Sequence, residues 1–228
     1  MQPSSGILYL VATPIGNLED ITLRAVRLLR EVDFVICEDS RHSGILLKHL
    51  EIKKPLRVFH DHTQKVKLDS LIQELQNGSQ AAYVTDAGTP LVSDPGFALV
   101  QAALNAGVRI ESIPGPTAFV AALIVSGLPT HVFTFVGYLP QKEKAKRDAL
   151  QNLEGEQRTL IFYESPYRVL KTLKAMLDIF GDRRASVSRE LTKKFEETVR
   201  GRLSEILAYF EKKKILGEWA IVVSGKED

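Results

Sequence analysis

The sequence contains one cysteine, Cys37, so no intrachain disulfide can form, and a reducing cytoplasm is the expected setting. Cys37 closes the run Phe34-Val35-Ile36-Cys37, where a small buried hydrophobe is expected. No apolar run approaches the roughly 18 to 20 residues of a membrane span. Met1-Gln2-Pro3-Ser4-Ser5-Gly6 lacks the basic and apolar regions of a signal peptide. No strand-linked G-x-G-x-x-G and no G-x-x-x-x-G-K-[ST] occur, which excludes the ordinary dinucleotide fingerprint and the phosphate loop. Cys-x-x-Cys and His-Glu-x-x-His are also missing, so no metal is expected. His60 and His62, with only Asp61 between them, read as a metal pair or as a solvated or substrate-touching pair. A net charge of +2 does not by itself suggest nucleic acid, but the charge is unevenly divided. Residues 1–114 carry 11 Lys and Arg against 13 Asp and Glu, giving −2, and residues 115–228 carry 19 against 15, giving +4. A mild basic bias in the second half permits a polyanionic partner.

What is present is a 44% hydrophobic, 25% charged chain of 228 residues, long enough for one large or two modest domains. It is organised around Thr85-Asp86-Ala87-Gly88-Thr89-Pro90-Leu91-Val92-Ser93-Asp94-Pro95-Gly96. This stretch sets small residues, prolines and two carboxylates between an apolar strand, Ala81 to Val84, and a helix predicted over Phe97 to Ala106. Asp94 suits an N-cap with Pro95 at the first helical position. Glycine lets backbone approach a ligand and proline fixes its path, so the stretch reads as a ligand-gripping loop or as a tight connector.

Other strands end on similar chemistry. Ile7 to Ala12 runs into Thr13-Pro14-Ile15-Gly16-Asn17-Leu18, after which Asp20 is expected to cap a helix carrying Ile21, Ala25, Leu28, Leu29 and Val32. Asp33 to Cys37 ends on Glu38-Asp39-Ser40-Arg41-His42, and Leu46, Leu47 and Leu50 belong to a short helix. Leu56 to Phe59 ends on His60-Asp61-His62; Leu68 to Leu75 is helical and closed by Asn77-Gly78. Val108 to Ile113 ends at Pro114-Gly115-Pro116-Thr117, ahead of a helix over Ala118 to Ser126 whose start could offer free amides to a ligand. Alternating strands and helices imply parallel pairing, with these loops converging on one sheet edge.

The second half predicts strands at 133–138, 159–163, 185–189 and 219–223 and helices near 143–153, 167–179 and 203–213, an α/β layer with antiparallel content. Gly127-Leu128-Pro129-Thr130 reads as a hinge, and the domains are expected at 1–114 and 115–228. Glu38-Asp39 could act as a base couple, bind Arg41 or cap a helix. Lys142, Lys144, Lys146 and Arg147 could bind phosphate or form a solvated helix face.

Six ordered motifs carry a resemblance. They are Leu10-Val11-Ala12-Thr13-Pro14-Ile15-Gly16-Asn17-Leu18, Cys37-Glu38-Asp39-Ser40-Arg41, Asp86-Ala87-Gly88-Thr89-Pro90 with Ser93-Asp94-Pro95-Gly96, Pro114-Gly115-Pro116, Phe162-Tyr163-Glu164-Ser165-Pro166 with Arg168, and Arg189-Glu190-Leu191-Thr192-Lys193. From about Ile7 to Gly225 the chain resembles the ribosomal RNA small subunit methyltransferase I family of the tetrapyrrole-methylase superfamily. It departs at Ser40, where Thr is usual, at Thr63, where Asn is common, and at Tyr167, where His is usual.

The resemblance implies a two-domain α/β fold, with a mostly parallel N-terminal sheet, a mixed C-terminal sheet and a cofactor cleft between them. It implies S-adenosylmethionine as cofactor, 2′-O-methylation of a cytidine ribose in the decoding region of small-subunit (16S) rRNA, and a homodimer acting on that rRNA or the 30S particle. Cofactor contacts would fall to Pro14, Asp86, Ala87, Gly88, Pro90, Ser93, Thr117, Ala118, Phe162 and Tyr163. Asp39 and Glu164 are the candidate proton acceptors, and Arg41, Lys142, Lys144, Lys146 and Arg147 the candidate RNA contacts. A tetrapyrrole methylase of the same fold and a non-catalytic RNA-binding module are the alternatives; the absence of aromatic RNA-binding signatures opposes the latter.

Overall fold

The computed structural model describes residues 6–60 and 65–226, so Asp61, His62 and Thr63 lie outside the described residues. The chain divides into two compact units, Met1–Thr117 and Ala118–Asp228, three residues beyond the division expected after Pro114.

The first unit is built on β1 (Ile7–Val11), β2 (Phe34–Cys37), β3 (Leu56–Val58), β4 (Gln80–Val84) and β5 (Arg109–Ile113), in the order β3-β2-β4-β1-β5. Every pairing is parallel, as the alternation of elements requires. The connecting helices are α1 (Leu23–Glu31), α2 (Ser40–His49), α3 (Lys65–Gln76) and α4 (Phe97–Asn105). Successive strand residues face opposite ways, so the sheet has two apolar faces. Tyr9, Val11, Val35, Cys37, Ala82 and Val84 pack with Ala25, Leu28 and Leu29 of α1 and Leu47 of α2. Leu8, Phe34, Ile36, Ala81 and Tyr83 pack with Leu71, Ile72 and Leu75 of α3 and Leu99 and Ala103 of α4.

Two expected caps are corrected. Asp20 ends a 3-10 turn, Leu18–Asp20, capped by Asn17; Thr22 caps α1, its hydroxyl accepting from the Ala25 amide at 3.1 Å. Ile21, between the two, is extended and cannot continue a helix. Asp94 does not cap α4 either. The cap is Gly96 at φ +119°, with no side-chain bond. A Cβ on Gly96 would lie 2.4 Å from the Tyr83 ring, whose hydroxyl donates to the Pro95 carbonyl at 2.8 Å, so glycine is required and the helix starts later.

The second unit carries β6 (Phe133–Tyr138), β7 (Thr159–Glu164), β8 (Arg184–Arg189), β9 (Glu197–Arg202) and β10 (Trp219–Val223), in the order β6-β7-β10-β8-β9. Only β6 and β7 pair in parallel; the other pairs are antiparallel. Its helices are α5 (Ala118–Val125), α6 (Glu143–Gln151), α7 (Val169–Phe180) and α8 (Leu203–Phe210). Leu160, Phe162, Val187 and Ile221 face a core with α7 and α8, while Ile161, Ala220 and Val222 face α5. β9, with its polar composition, was not expected; it is an edge strand, where one-sided pairing tolerates polar residues. Gly127 to Thr130 lies inside this unit rather than forming a hinge. Leu128 is buried and its amide donates to the Ser126 hydroxyl at 3.0 Å.

Candidate functional site

The parallel first sheet sends the loops after β1, β2, β4 and β5 to its carboxyl edge, and hydrogen bonds join them there. The Thr13 amide donates to the Gly88 carbonyl at 2.9 Å, and the Gly88 amide returns a bond to Thr13 at 3.0 Å. This bridge lies just beyond β1 and fixes the 85–96 loop beside Pro14. Thr89 donates to the Pro116 carbonyl at 3.2 Å, and its hydroxyl lies 2.7 Å from that of Thr117. Pro14, Gly88 and Pro90 are buried in this junction, whereas Asp86, Ala87 and Ser93 are exposed along it. Leu91 at φ +72° and Ser93 at φ +64° hold left-handed backbone that costs on the order of 1 to 2 kcal/mol per residue. An exposed, strained segment pinned to its neighbours is suited to presenting backbone polar groups in a set geometry.

The charges at this edge differ in proton affinity. Asp39 caps α2, accepting from the Arg41 amide at 2.8 Å, and the Arg41 guanidinium grips the same carboxylate at 2.5 Å. Those bonds hold the Asp39 carboxyl well below the usual carboxylate range. Asp86 lies 2.9 Å from His42 Nδ1, which raises the imidazole above its ordinary value. Burial pushes Asp94 up to about 6, and the charges of Glu38 and Asp86 act the same way. Burial likewise raises the Cys37 thiol, consistent with an inert core residue. Among the described residues no group of three or more His, Cys, Asp or Glu is arranged to hold a metal. His60 is exposed, and His62 lies outside the described residues. An open depression of about 740 Å³, lined by Leu47, Lys48, Lys53 and Leu56 among others, lies by the amino end of β3 and takes none of these loops.

In the second unit the expected residues divide. Glu164, only 1% exposed, accepts from the Ser165 amide and the Thr172 hydroxyl, both at 2.7 Å, and pairs with Arg168 at 2.7 Å. Arg168 also donates to the Leu139 carbonyl at 3.1 Å, tying the loop after β7 to that after β6. This carboxylate is engaged in holding structure. Tyr163 faces α5, where its hydroxyl accepts from the Phe119 amide at 2.8 Å, so that amide at the helix start is occupied. Ala118, just before it, is partly buried. Phe162, one residue along the strand, faces the opposite core and is fully buried, so its ring serves packing and only its backbone is left for the expected cofactor contact; truncation there costs about 3–5 kcal/mol.

The basic cluster also divides. Lys142 and Lys144 are exposed, while Arg147 pairs with Asp178 at 3.3 Å. Lys146 is corrected as an RNA contact. It is 3% exposed and paired with Glu143 at 2.9 Å, because it lies one helical turn before the core residue Leu150 on α6. Arg41 is exposed although bound to Asp39. Sequence reasoning missed His42 as the partner of Asp86 and Asp94 as a titrating carboxyl. The first was accessible from topology, since β2 and β4 are neighbours and their end loops must meet. The second depends on burial that no spacing reveals.

Residues 7–207 match the family of Tetrapyrrole (Corrin/Porphyrin) Methylases. A protein of Thermotoga maritima named ribosomal RNA small subunit methyltransferase I is 46% identical over 97% of this chain and 100% of its own length. Its namesake from Halalkalibacterium halodurans is 47% identical over 96% of this chain and 76% of its own. Among solved structures, uroporphyrin-III C-methyltransferase from Thermus thermophilus complexed with S-adenosylhomocysteine superposes with a TM-score of 0.67 at 23% identity, covering 97% of this chain and 98% of that one. That likeness concerns the fold. The chain belongs to the tetrapyrrole methylase family and, within it, to the ribosomal RNA small subunit methyltransferase I group.

Proposed function

We propose that this family member transfers a methyl group from S-adenosylmethionine to the 2′-hydroxyl of a cytidine in small-subunit ribosomal RNA. The observation that carries the reading is identity of 46% to an rRNA methyltransferase along that protein's entire length. The loop junction supports it, because the segments that carry the family resemblance are the ones hydrogen-bonded together at the first sheet's carboxyl edge. When bound, S-adenosylmethionine supplies an activated methyl on a positively charged sulfur, and its transfer forms a C–O bond as the C–S bond breaks.

The residues present fit such a ligand. Asp86 offers a partly exposed carboxylate to hydroxyl or ammonium groups, while Ala87 and Ser93 leave room for backbone contacts. The pinned loop orients what it binds, and alignment is the larger part of catalysis for an already activated methyl. A hydroxyl nucleophile loses its proton during the transfer. Asp39 is a poor acceptor because Arg41 stabilises its anion, and Glu164 is committed to Arg168 and Thr172. Asp94, on the same pinned loop and half-buried, is pushed up to about 6 by burial and is the acceptor that the Asp94→Asn variant tests. The substrate is proposed to be the small-subunit rRNA or its 30S particle, and the enzyme a homodimer, which light scattering would test.

The test of the reaction uses small subunits or their rRNA incubated with protein and cofactor, then hydrolysed by alkali. Ribose methylation protects one phosphodiester, so one cofactor-dependent protected position is expected, 3′ to a cytidine. A methyl recovered on a base, or on a tetrapyrrole with RNA untouched, overturns the reading. Asp94→Asn is expected to lower turnover while cofactor affinity persists. Unchanged turnover would leave solvent as the proton acceptor.

A further inference from the structure

β6, β7 and β8 run in the same direction, and β9 and β10 run against them, so one edge of the second sheet collects four loops. They are residues 139–142, 165–168, 190–196 and 211–218. Two large aromatic side chains stand in solvent there: Tyr167 is 91% exposed and Phe195 69%. Isolated exposed apolar residues are ordinary, but these share their edge with Lys142, Lys194, Lys212 and Lys214. None of those four lysines has a salt-bridge partner among the described residues. Lys194 Nζ lies 5.6 Å from the centre of the Phe195 ring.

At the opposite edge Arg158 is clasped by Glu156, and Arg183 and Arg202 keep their charge but are held by backbone carbonyls, of Phe180 and Glu154 for the first and of Asp182 for the second. At the loop edge the four lysines reach into solvent beside exposed rings.

The 190–196 hairpin is also held rigidly. Glu190 at φ +52° and Thr192 at φ +68° are left-handed, a state that persists only where surroundings enforce it. The Glu190 amide donates to the Glu218 carbonyl at 2.9 Å, Lys193 bridges Glu190 and Glu218 at 3.0 and 2.8 Å, and the Thr192 amide donates to Glu196 at 2.6 Å. A Cβ on Gly217 would come within 2.4 Å of the Glu190 side chain, so the 211–218 loop can approach the hairpin only through glycine. Lys193 is thus consumed in fixing the hairpin, and Lys194 and Phe195 are presented by it. One strand, β10, separates β7 from β8, so the loops bearing Tyr167 and Phe195 leave the sheet about 10 Å apart. That span is within the reach of a few nucleotides of one strand.

We propose that this loop edge docks single-stranded RNA, with Phe195 and Tyr167 stacking on unpaired bases and Lys142, Lys194, Lys212 and Lys214 contacting phosphates. An aromatic face accepts any base, and lysines on a fixed frame follow a backbone without reading sequence. A duplex keeps its bases stacked and offers the rings nothing. The inference rests on RNA being the substrate and adds where the strand is held.

The test measures affinity of the full chain for a fluorescein-labelled oligocytidylate and for an RNA duplex of equal length, across a salt series. Phe195→Ala and Tyr167→Ala are each expected to weaken single-strand binding about tenfold, with little effect on the duplex. Phe195→Tyr should restore it. Replacing Lys194, Lys212 and Lys214 together by Ala should reduce the salt slope by roughly 0.7 for each phosphate that is no longer neutralised. Melting temperature and cofactor affinity should be unchanged, since these side chains stand in solvent. Full affinity for the single strand in both aromatic variants overturns the docking surface even if rRNA methylation is confirmed. A change of oligomeric state instead would make this edge a contact between copies and also overturn it. Unaltered docking behaviour in a protein that methylates no RNA would overturn the reaction reading alone, and a parent chain that binds no RNA overturns both.

Discussion

At the carboxyl edge of the first sheet the loops are tied to one another through backbone and short hydroxyl groups, and the acidic side chains Glu38, Asp86 and Asp94 gather there. At the corresponding edge of the second sheet the ties run through ion pairs, the buried Glu164 with Arg168, and the half-buried Lys193 with Glu190 and with the exposed Glu218. What is left over there is lysine and aromatic ring. Both edges follow from strands ending together, yet one fixes backbone and the other fixes a frame for long side chains. Fixed backbone suits a small ligand bound in one pose. Long side chains on a fixed frame suit a polymer whose bases and phosphates must be met at several points.

The comparison is sharpened most by breaking the second edge's buried pair. Arg168→Met leaves Glu164 charged without its cation and should destabilise the protein by about 3–5 kcal/mol, read by denaturant unfolding. A loss below about 1 kcal/mol would mean that Glu164 does not anchor the loops around it.

Next comes the first edge. Asp86→Ala should weaken cofactor binding by an amount on the order of 1 to 3 kcal/mol, measured by calorimetry, with unfolding nearly unchanged because its His42 partner is exposed. Equal affinity in the variant would remove Asp86 from the binding set. Within the basic cluster, Lys142→Ala with Lys144→Ala should lower the salt dependence of RNA binding while stability holds. Lys146→Ala should do the reverse, leaving the salt slope intact and lowering the unfolding midpoint.

The smallest effect is a pH dependence. Asp94 has a folded pKa of about 6, above the ordinary 3.8, so between those values the folded state binds the extra proton. Its contribution to stability is therefore present at low pH and lost as pH rises from about 4 to 6, and Asp94→Asn should flatten that window. Turnover should move the other way, rising as Asp94 loses its proton. A stability profile identical in parent and variant would return Asp94 to an ordinary surface carboxyl.

Strands were legible where composition and burial agree. Phe133–Tyr138 and Trp219–Val223 were expected at the bounds observed because the first is rich in aromatic and β-branched residues and the second is a continuous apolar run. β9 was not, since Glu-Thr-Val-Arg-Gly-Arg at a sheet edge needs no apolar face. Motif-bearing loops could be placed at one sheet edge from alternation alone, but which of their groups are engaged could not. Asp39 and Glu164 looked equally available as carboxylates, and only coordinates show one gripped by Arg41 and the other sealed against Thr172. The burial of the Phe162 ring and of Lys146 was foreseeable: adjacent strand residues face opposite ways, and a lysine one turn before Leu150 lies on the packed side of its helix.

The Thr13–Gly88 bridge has a thermodynamic consequence for whatever the 85–96 loop receives. Together with the Tyr83 hydroxyl bond to Pro95, it anchors the twelve-residue arch near both of its feet. Ordering a free loop on binding would cost about 1–2 kcal/mol of conformational entropy per residue immobilised. Here most of that ordering accompanies folding, so association should show a small unfavourable entropy, and the enthalpy of its hydrogen bonds should reach the measured affinity nearly undiminished.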